Sequence, residues 1–580
     1  MTVLSQRGLL GSSAVMAAGT IVSRIAGFAK AAVIAATLGL ATVTADTFGV
    51  ATVIPTMLYI LVGGGALNSV LVPVLVKAIK KDADAGQAFG QRLFSVVAVV
   101  LGTVTMIAVL LAPLIVGLFV SAKYRTPELQ PFFDDMVLLA RFCLPQVLFY
   151  ALYVLIGQML NARGRFGPMM WAPIVNNLVV IAVFTGYLLA KGPKRPEPFS
   201  DGEVLLLGLG STLGVCLQAL VLLPVLARVG FRLRFRTDWR HAGLGQAARL
   251  GLWTIGFVLV NQLAYLFVVR AATGGSADAA LGTGGANGAG YVVYANAMLI
   301  MMVPHSVITV SLATALLPRL ADDATDGRLG LVRDRLVDGM RLCLAVIVPV
   351  AALLAGLSGP LAALLFGHGA ATGETGELAL TLMALLPGLV AFTVHYLVLR
   401  GFYAAQDTRT PFFVQLGIAA TMVTVALLVA ATEPDRVTVL LALGYSLAYL
   451  VGAVVSLGVL GRRLGGISRS SLLLHVLRLA IPAGLAALAG YGVTVVLDRV
   501  LRFAGQLVAD LLTVTAAGIV GVSLFLVLAY AMRIQEVRDG VSVLRKRIRR
   551  TPPTMSNPGN APDRRAAADS GAPPATPGEP

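Results

Sequence analysis

Residues 9–40 read LLGSSAVMAAGTIVSRIAGFAKAAVIAATLGL. The run is almost wholly apolar, and Arg24 and Lys30 are its only charged side chains. A helix needs about 20 predominantly apolar residues to cross the hydrocarbon core of a bilayer. The apolar core of a cleavable signal peptide is only about 7–15 residues long. The run therefore predicts a first membrane-spanning helix that is retained in the mature protein.

The same pattern recurs along the whole chain of 580 residues. Hydrophobic residues make up 57% of the chain and charged residues 13%, which is about half the charged share of a soluble protein. We predict an all-α polytopic membrane protein with about fourteen transmembrane helices. The predicted spans cover residues 9–40, 47–76, 93–121, 136–161, 168–190, 204–227, 248–272, 289–318, 340–366, 377–404, 410–431, 437–460, 473–497 and 506–532.

The basic residues of the loops predict the orientation of these spans. With the N-terminus inside, the cytoplasmic loops hold 24 Lys and Arg residues and the outer loops hold nine. Cytoplasmic loops of membrane proteins carry an excess of Lys and Arg. Both termini and the 228–249 loop are therefore predicted to be cytoplasmic, and the loops 191–203 and 273–288 to face outward.

The net charge of +17 does not indicate nucleic-acid binding, because the basic residues lie in short loops between apolar runs. The three cysteines, Cys143, Cys216 and Cys343, are isolated, so neither a disulfide framework nor a metal site is predicted. The chain contains no P-loop, HExxH or GxSxG motif. We therefore expect no enzymatic activity and no cofactor. Transport would draw on a coupling monovalent cation, the membrane potential or the substrate gradient.

Two landmarks indicate an internal repeat. Pro73 and Pro318 follow similar helix ends 245 residues apart, and Pro168 and Pro411 close similar loops 243 residues apart. A repeat of six helices leaves both copies in the same orientation, which is a recurring transporter architecture. We predict two parallel six-helix lobes around a central cavity, followed by two C-terminal helices. The predicted boundaries are 1–246 for the N-lobe, 247–466 for the C-lobe, 467–534 for a helix pair that offers a lipid groove, and 535–580 for a cytoplasmic tail.

Charged residues at bilayer depth are the first candidates for a substrate site. Arg24 lies in the middle of the first span, Lys30 follows nearly two turns later, and Asp46 opens the second span. A central Arg or Lys costs about 2.5–3.5 kcal/mol on insertion scales, and such residues usually line a cavity or pair internally. The alternatives are that Lys30 extends to the interface and that Arg24 pairs with Asp46.

Neutral polar residues at the same depth are weaker candidates. Asn261 and Gln262 in the seventh span and Asn296 in the eighth are predicted to face the cavity. Hydrogen bonds between helices are the commoner role of such side chains, and this alternative remains open.

Several long motifs resemble the MurJ/MviN family. They cover almost everything except the tail: SRIAGFAK (23–30), ADTFGVATVIPTM (45–57), GGGALNSVLVPVL (63–75), NARGRFGPMMWAPIVNN (161–177), VPHSVITVSLATALLPRLA (303–321) and AAQDTRTP (404–411). The resemblance implies a fourteen-helix transporter of the superfamily that also holds multidrug and polysaccharide exporters. It also implies a flippase that carries lipid II, the undecaprenyl-pyrophosphate-linked peptidoglycan precursor, from the inner to the outer leaflet of the bacterial cytoplasmic membrane.

The resemblance assigns the cavity charges only in part. Arg24 matches a family arginine, Lys30 stands where a second arginine is usual, and Asp46 matches the acidic residue that opens the second span. Gly64 replaces a common glutamate, and the arginine common near Asn296 is missing. The resemblance therefore implies a lipid-linked pyrophosphate substrate held by fewer cations than usual.

Three other functions remain open at this stage. A flippase for another lipid-linked oligosaccharide would use the same features. A drug or cation antiporter of the same superfamily should carry acidic residues deep in the bundle, whereas the deep charges here are mostly basic. A scaffold for cell-wall synthesis proteins would act through the tail, where RKRIRR at 545–550 is predicted to bind anionic lipids and the remainder to be disordered.

Overall fold

A computed structural model describes residues 3–61, 84, 86–238, 244–282, 290–432, 436–501, 505–539 and 542. Several sequence predictions lie outside these residues. They are the later part of the predicted span 47–76, the landmark Pro73, the basic run 545–550 and the rest of the tail, which therefore stay predictions.

The described residues form helices joined by short loops. Thirteen of the helical segments in the described part of the chain are long and apolar enough to span a membrane. The helix Val43–Tyr59 is the described part of the remaining predicted span, so the prediction of an all-α polytopic membrane protein is confirmed. The helices are α1 (Val3–Leu38), α2 (Val43–Tyr59), α3 (Gln87–Leu110), α4 (Ala112–Phe119), α5 (Gln130–Cys143), α6 (Gln146–Ala162), α7 (Gly167–Lys191), α8 (Asp201–Leu220), α9 (Leu222–Arg228), α10 (Leu244–Leu281), α11 (Tyr291–Pro304), α12 (Val310–Thr325), α13 (Leu329–Gly356), α14 (Ser358–Phe366), α15 (Thr375–Ala404), α16 (Arg409–Thr432), α17 (Val437–Arg463), α18 (Arg469–Val500) and α19 (Gln506–Ala531).

One predicted loop is wrong in its first half. Residues 273–288 were expected to lie outside the membrane helices, but α10 continues to Leu281. The small and polar residues after Arg270 lower the apolar content that marks a span. They stay helical because they pack against neighbouring helices, and both Thr273 and Ser276 are buried.

The helices separate into two groups that pack mainly within themselves. Helices α1–α9, called here the N-bundle, contact one another, as do helices α10–α17, the C-bundle. The pair α18–α19 packs against α13 and α14. In the repeat, Pro168 and Pro411 occupy equivalent places, since each lies in the first turn of its helix, α7 or α16.

Pro304 interrupts the eighth predicted span. Proline has no N–H to donate within a helix, and the five residues after it, His305–Thr309, wind as a π-helix before α12 begins. Such π segments occur mostly as single turns inside α-helices, often at functional sites. The span is therefore two helices joined by a local change of winding.

The loop after α9 runs as an extended strap, residues 229–238, along the start of α3. Gln87 and Gln91 donate to the carbonyls of Gly230 (3.0 Å) and Arg232 (2.6 Å). Asp238 accepts from Arg92 at 2.7 Å and from Arg236. The bonds from these two guanidinium groups, that of Arg236 first, lower the pKa of Asp238. The strap therefore belongs to the N-bundle although it leads towards the C-bundle.

Topology gives the first prediction. In cells that express a chain without its three native cysteines, a membrane-impermeant maleimide should label Arg195→Cys in the outer loop and spare Arg234→Cys in the strap. Both side chains are exposed, so only sidedness separates them. Permeabilised cells provide the control, because both cysteines should then react. Labelling of Arg234→Cys in intact cells would contradict the predicted orientation.

Candidate functional site: two cavities beneath an outer latch

The first cavity, called here the N-cavity, has a volume of about 490 Å³ and lies between the N-bundle and α11. Helices α1, α2, α6, α7 and α8 form its other walls. Several polar side chains reach it from these different helices. They are Lys30, Thr52, Thr56, Gln146, Asn176, Ser211 and Asn296.

Lys30 is the only charged residue among the described residues that line the N-cavity. Its side chain is half-buried, and it forms no ion pair within the described part of the chain. A positive charge in a site of low polarity is costly unless a partner compensates it. The positive charge of Lys30 therefore favours an anion over a cation in the N-cavity.

Arg24 lies beyond the N-cavity on the same face of α1. Gly27, Ala31 and Ala35 line the cavity, and positions 24, 27, 31 and 35 are three or four residues apart, so they share one helix face. Arg24 continues this face towards the start of α1, and its side chain is exposed. Arg24 thus does not line the N-cavity but lies about one turn before Gly27 on the same face of α1, whereas Lys30 lines the cavity.

Asn176 is a cavity residue that sequence reasoning did not select. Its side chain is buried, and its Oδ1 atom has no hydrogen-bond partner among the described residues. A Cβ atom at Gly214 of α8 would collide with this oxygen, so the glycine makes room for the amide. The neighbouring Asn177 donates to the carbonyl of Ser23 at 3.2 Å and joins α7 to α1. The only sequence signal was the Asn176–Asn177 pair in an apolar span.

The second cavity, called here the C-cavity, has a volume of about 570 Å³ and lies between α2 and helices α10, α11, α15, α16 and α17. It shares Val53, Thr56, Tyr291, Ala295 and Leu299 with the N-cavity. A single layer of side chains from α2 and α11 therefore separates the two cavities.

The structure distributes the predicted polar residues between the cavities. Asn261 and Gln262 line the C-cavity, while Asn296 lines the N-cavity. The Gln262 amide donates to the carbonyl of Met57 at 3.0 Å, so it joins α10 to α2. Asn261 Oδ1 accepts from Gln415 at 3.2 Å. Interhelical hydrogen bonding, the alternative role, thus applies to Asn261 and Gln262 as well.

Asp46 lies at the end of the bundles that is predicted to face outward, called here the outer end. Its fully buried carboxylate accepts from Ser276 Oγ at 2.6 Å and from the backbone N–H groups of Tyr291 (3.0 Å) and Val292 (2.9 Å). These N–H groups open α11, and the positive end of a helix dipole favours a carboxylate there. The site is shaped for it, because a Cβ at Gly290 would collide with the carboxylate.

Asp46 is therefore part of the outer closure and lines neither cavity itself, although its donors Tyr291 and Val292 belong to residues that line the N-cavity. It touches neither Arg24 nor Lys30 through a hydrogen bond or ion pair of the described residues. Its three donors come from the C-bundle, whereas Asp46 itself belongs to the N-bundle. The contacts of Asp46 therefore favour a role in holding the outer end closed over the predicted pairing with Arg24.

Further polar contacts join the bundles at the outer end. Glu374 Oε2 accepts from the backbone N–H groups of Leu40 (2.6 Å) and Ala41 (3.0 Å). Lys123 and Asp278 form an ion pair of 2.5 Å. We call the contacts of Asp46, Glu374 and Lys123–Asp278 the outer latch. Glu374 and Asp278 were not predicted, because a carboxylate in an outer loop has no pattern that reveals a partner more than a hundred residues away.

The outer latch contains most of the hydrogen bonds and ion pairs between the bundles among the described residues. Arg270 adds bonds to the carbonyl groups of Gly117 and Leu118. The bond between Gln262 and Met57 lies about halfway along α10 and near the end of α2. The described contacts thus close the outer end, and Arg24 lies exposed at the opposite side of the N-cavity.

The sequence matches known proteins over most of the helices described above. The family model described as "Lipid II flippase MurJ" matches residues 34–513, more than half of the chain. The chain belongs to the MurJ family. A probable lipid II flippase MurJ of Haemophilus influenzae is 28% identical over 69% of this chain and 76% of its own length. The lipid II flippase MurJ of Burkholderia cenocepacia is 27% identical over 69% of this chain and 74% of its own length.

Solved structures share the fold of this MurJ family member. A structure described as lipid II flippase MurJ in an inward closed conformation has a TM-score of 0.68 at 17% identity, and the match covers 91% of this chain and 99% of that one. An inward-facing multidrug transporter of the MATE family and MOP superfamily has a TM-score of 0.60 at 14% identity, covering 78% and 95%. The predicted fold class and family are thus confirmed.

The latch gives the second prediction. Asp46→Asn removes the negative charge from the bonds with Ser276 and α11, and a hydrogen bond to a charged group contributes about 1.5–3 kcal/mol. The outer end should open more often, by roughly tenfold or more. The reporter is Ala277→Cys, which replaces a fully buried residue of α10, and its reaction with an impermeant maleimide should accelerate accordingly.

The control for this experiment is Arg195→Cys, an exposed residue outside the latch, whose labelling should not respond to Asp46→Asn. Equal labelling of Ala277→Cys with and without Asp46→Asn, at equal protein levels, would show that Asp46 does not hold the outer end closed.

Proposed function

We infer that the protein flips lipid II from the inner to the outer leaflet of the bacterial cytoplasmic membrane by alternating access. Membership of the MurJ family supports this activity. The observation that carries it in this chain is the N-cavity, whose described lining has one cation, Lys30, and no acidic residue. A pyrophosphate that leaves water needs such cationic hydrogen-bond donors.

Arg24 and Lys30 would receive the pyrophosphate in sequence. Arg24 is exposed on the face of α1 that leads to the N-cavity, and its planar guanidinium can bind two phosphate oxygens at once. Lys30 lies deeper, where its ammonium group can take over the charge. Neutral donors on the cavity wall, such as Asn176 and Ser211, would complete the coordination.

The polyprenyl chain would remain in the bilayer along a groove on the outside of the C-bundle. This groove has a volume of about 380 Å³ between α13 and α19, and nearly all of its lining residues are apolar. Ala345, Pro349, Val522 and Leu526 lie along it, and Glu536 and Val537 lie at the end that follows α19. Such a surface fits an isoprenoid chain; of the two C-terminal helices for which a lipid groove was predicted, only α19 lines it.

The membrane potential would suffice to drive an anionic headgroup outward. An inside-negative potential changes the free energy of one transferred charge by about 2.3 kcal/mol per 100 mV. This proposal needs no cofactor, and a coupling monovalent cation would add to the same driving force. Closure on the cytoplasmic side, followed by opening of the outer latch, would release the substrate to the outer leaflet.

Substitution of the two cations gives the third prediction. Arg24→Ala should lower the affinity for lipid II by roughly 10–100-fold, the effect of losing a charge-assisted hydrogen bond, and should abolish growth of a strain depleted of its own flippase. Arg24→Lys should restore growth only in part, because the planar fork is lost. Lys30→Arg should be tolerated and Lys30→Met should not.

The matched control for these variants is Arg462→Ala, which removes an exposed arginine that lines neither cavity. All variants are compared at equal protein levels in the membrane. Normal growth with Arg24→Ala and with Lys30→Met would place substrate recognition elsewhere in the protein.

The groove gives the fourth prediction. Val522→Trp should fill the groove and slow the flipping of lipid II in proteoliposomes. Val527→Trp is the control, because Val527 also faces outward from α19, at 64% exposure, but does not line the groove. Both variants should bind a soluble pyrophosphate headgroup equally well. Equal flipping by the two variants would exclude the groove as the path of the chain.

A further inference from the structure

The walls of the C-cavity differ chemically from those of the N-cavity. No charged residue is found among the described residues that line the C-cavity. Aromatic rings form much of its surface, and the amides of Asn261, Gln262 and Gln415 supply polar groups. The rings belong to Tyr265, Tyr291, Tyr294, Phe392, Tyr445 and Tyr449.

We propose that the C-cavity binds the uncharged glycan of the lipid-linked substrate while the N-cavity holds its pyrophosphate. This inference rests on the proposed function and adds a sugar site to it. A pyranose ring has apolar C–H faces and a rim of hydroxyl groups, so it needs flat apolar surfaces together with neutral hydrogen-bond partners. The C-cavity presents both.

The aromatic surfaces are held in place by one another. The rings of Tyr445 and Tyr449 are 4.6 Å apart, and the ring of Phe392 lies 4.8 Å from that of Tyr449 in an edge arrangement. On the other side, the rings of Tyr265 and Tyr291 meet at 6.4 Å. Such pairs fix ring orientation beyond what burial alone provides. The cavity wall is thus preorganised for a rigid ligand.

Tyr445 provides the observation that points to a ligand. Only 6% of this residue is exposed, and its hydroxyl group has no hydrogen-bond partner among the described residues. A buried hydroxyl without a partner costs free energy. A sugar hydroxyl or acetamido group in the cavity would supply the missing bond. Asn261, which is exposed and lines the same cavity, supplies a second contact.

Other occupants fit these walls less well. Aromatic cages also bind organic cations, but no described carboxylate lines the cavity, and Lys30 repels cations from the neighbouring cavity. A lipid chain would offer no hydrogen bond to the buried hydroxyl of Tyr445. A stem peptide brings ionised groups for which the described walls offer no counter-charge. The neutral glycan is the part of the substrate that satisfies both the rings and the amides.

The position of the C-cavity agrees with this division. Only the shared layer that includes Thr56, Ala295 and Leu299 separates it from the N-cavity. The first sugar is bonded directly to the pyrophosphate, so the two groups must occupy adjacent places. The volume of about 570 Å³ lies within the range of about 300–1,000 Å³ typical of ligand sites.

Three lipids test the proposal on the full chain in nanodiscs. They are undecaprenyl pyrophosphate, the same lipid carrying the disaccharide without peptide, and complete lipid II. In the wild type, addition of the disaccharide should strengthen binding. Tyr445→Phe and Asn261→Ala should each reduce this gain by about two- to tenfold, the net effect of one hydrogen bond, and should leave the Kd of undecaprenyl pyrophosphate unchanged.

Tyr445→Phe carries a second readout that a structural role would not produce. Because it removes a buried hydroxyl without a partner, the ligand-free variant should melt at the same or a higher temperature than the wild type. The control is Tyr530→Phe, which removes a hydroxyl from a half-exposed tyrosine outside both cavities. It should change neither the melting temperature nor the glycan gain.

The proposal is overturned if affinity rises only when the peptide is added, or if both C-cavity variants keep the full glycan gain. If the two C-cavity variants weakened the binding of all three lipids equally, the proposal would likewise be overturned, since the residues would then support the fold alone. Lys30→Met tests the proposed pyrophosphate site separately from the glycan site, because it should weaken the binding of all three lipids. If the wild type does not bind undecaprenyl pyrophosphate, the pyrophosphate site fails, and this inference fails with it.

Discussion

A buried carboxylate joins the two bundles where α2 of the N-bundle meets α10 and α11 of the C-bundle. Asp46 has no cation beside it among the described residues, and its charge is held instead by a serine hydroxyl and the first N–H groups of α11. A buried carboxylate is costly without such donors. Because the donors belong to α10 and α11, Asp46 gains these hydrogen bonds only when the outer end is closed. The positions of α10 and α11, and therefore the walls of both cavities, depend on this contact.

The cavities below the latch separate charge from neutral polarity. Among the described residues, Lys30 is the one charged side chain that lines the N-cavity, whereas tyrosines and amides line the C-cavity. A substrate that crosses a membrane must exchange water for protein contacts at every part of its headgroup. Under the proposed function, walls of unequal chemistry on the two sides of α2 and α11 would provide this exchange for a headgroup with a charged and a neutral part and would also fix its orientation.

Hydropathy predicted the spans well, because bilayer thickness imposes a length that apolar runs reveal. It failed after Arg270, where contacts with the N-bundle keep Thr273 and Ser276 in a helix. The face of α1 that carries Arg24 follows from helical periodicity alone. Glu374 and the unpartnered hydroxyl of Tyr445 could not be predicted, because their roles depend on residues brought together only by the packing of distant helices.

The π-helix after Pro304 affects the assignment of helix faces from sequence periodicity. A π turn holds one more residue than a helical turn, and one residue corresponds to about 100° of rotation around an α-helix. The faces of α11 and α12 are therefore out of phase across His305–Thr309. Tyr291, Ala295 and Met302 face the cavities, but a profile with a single helical period over the whole span would assign the residues beyond Thr309 to the wrong side.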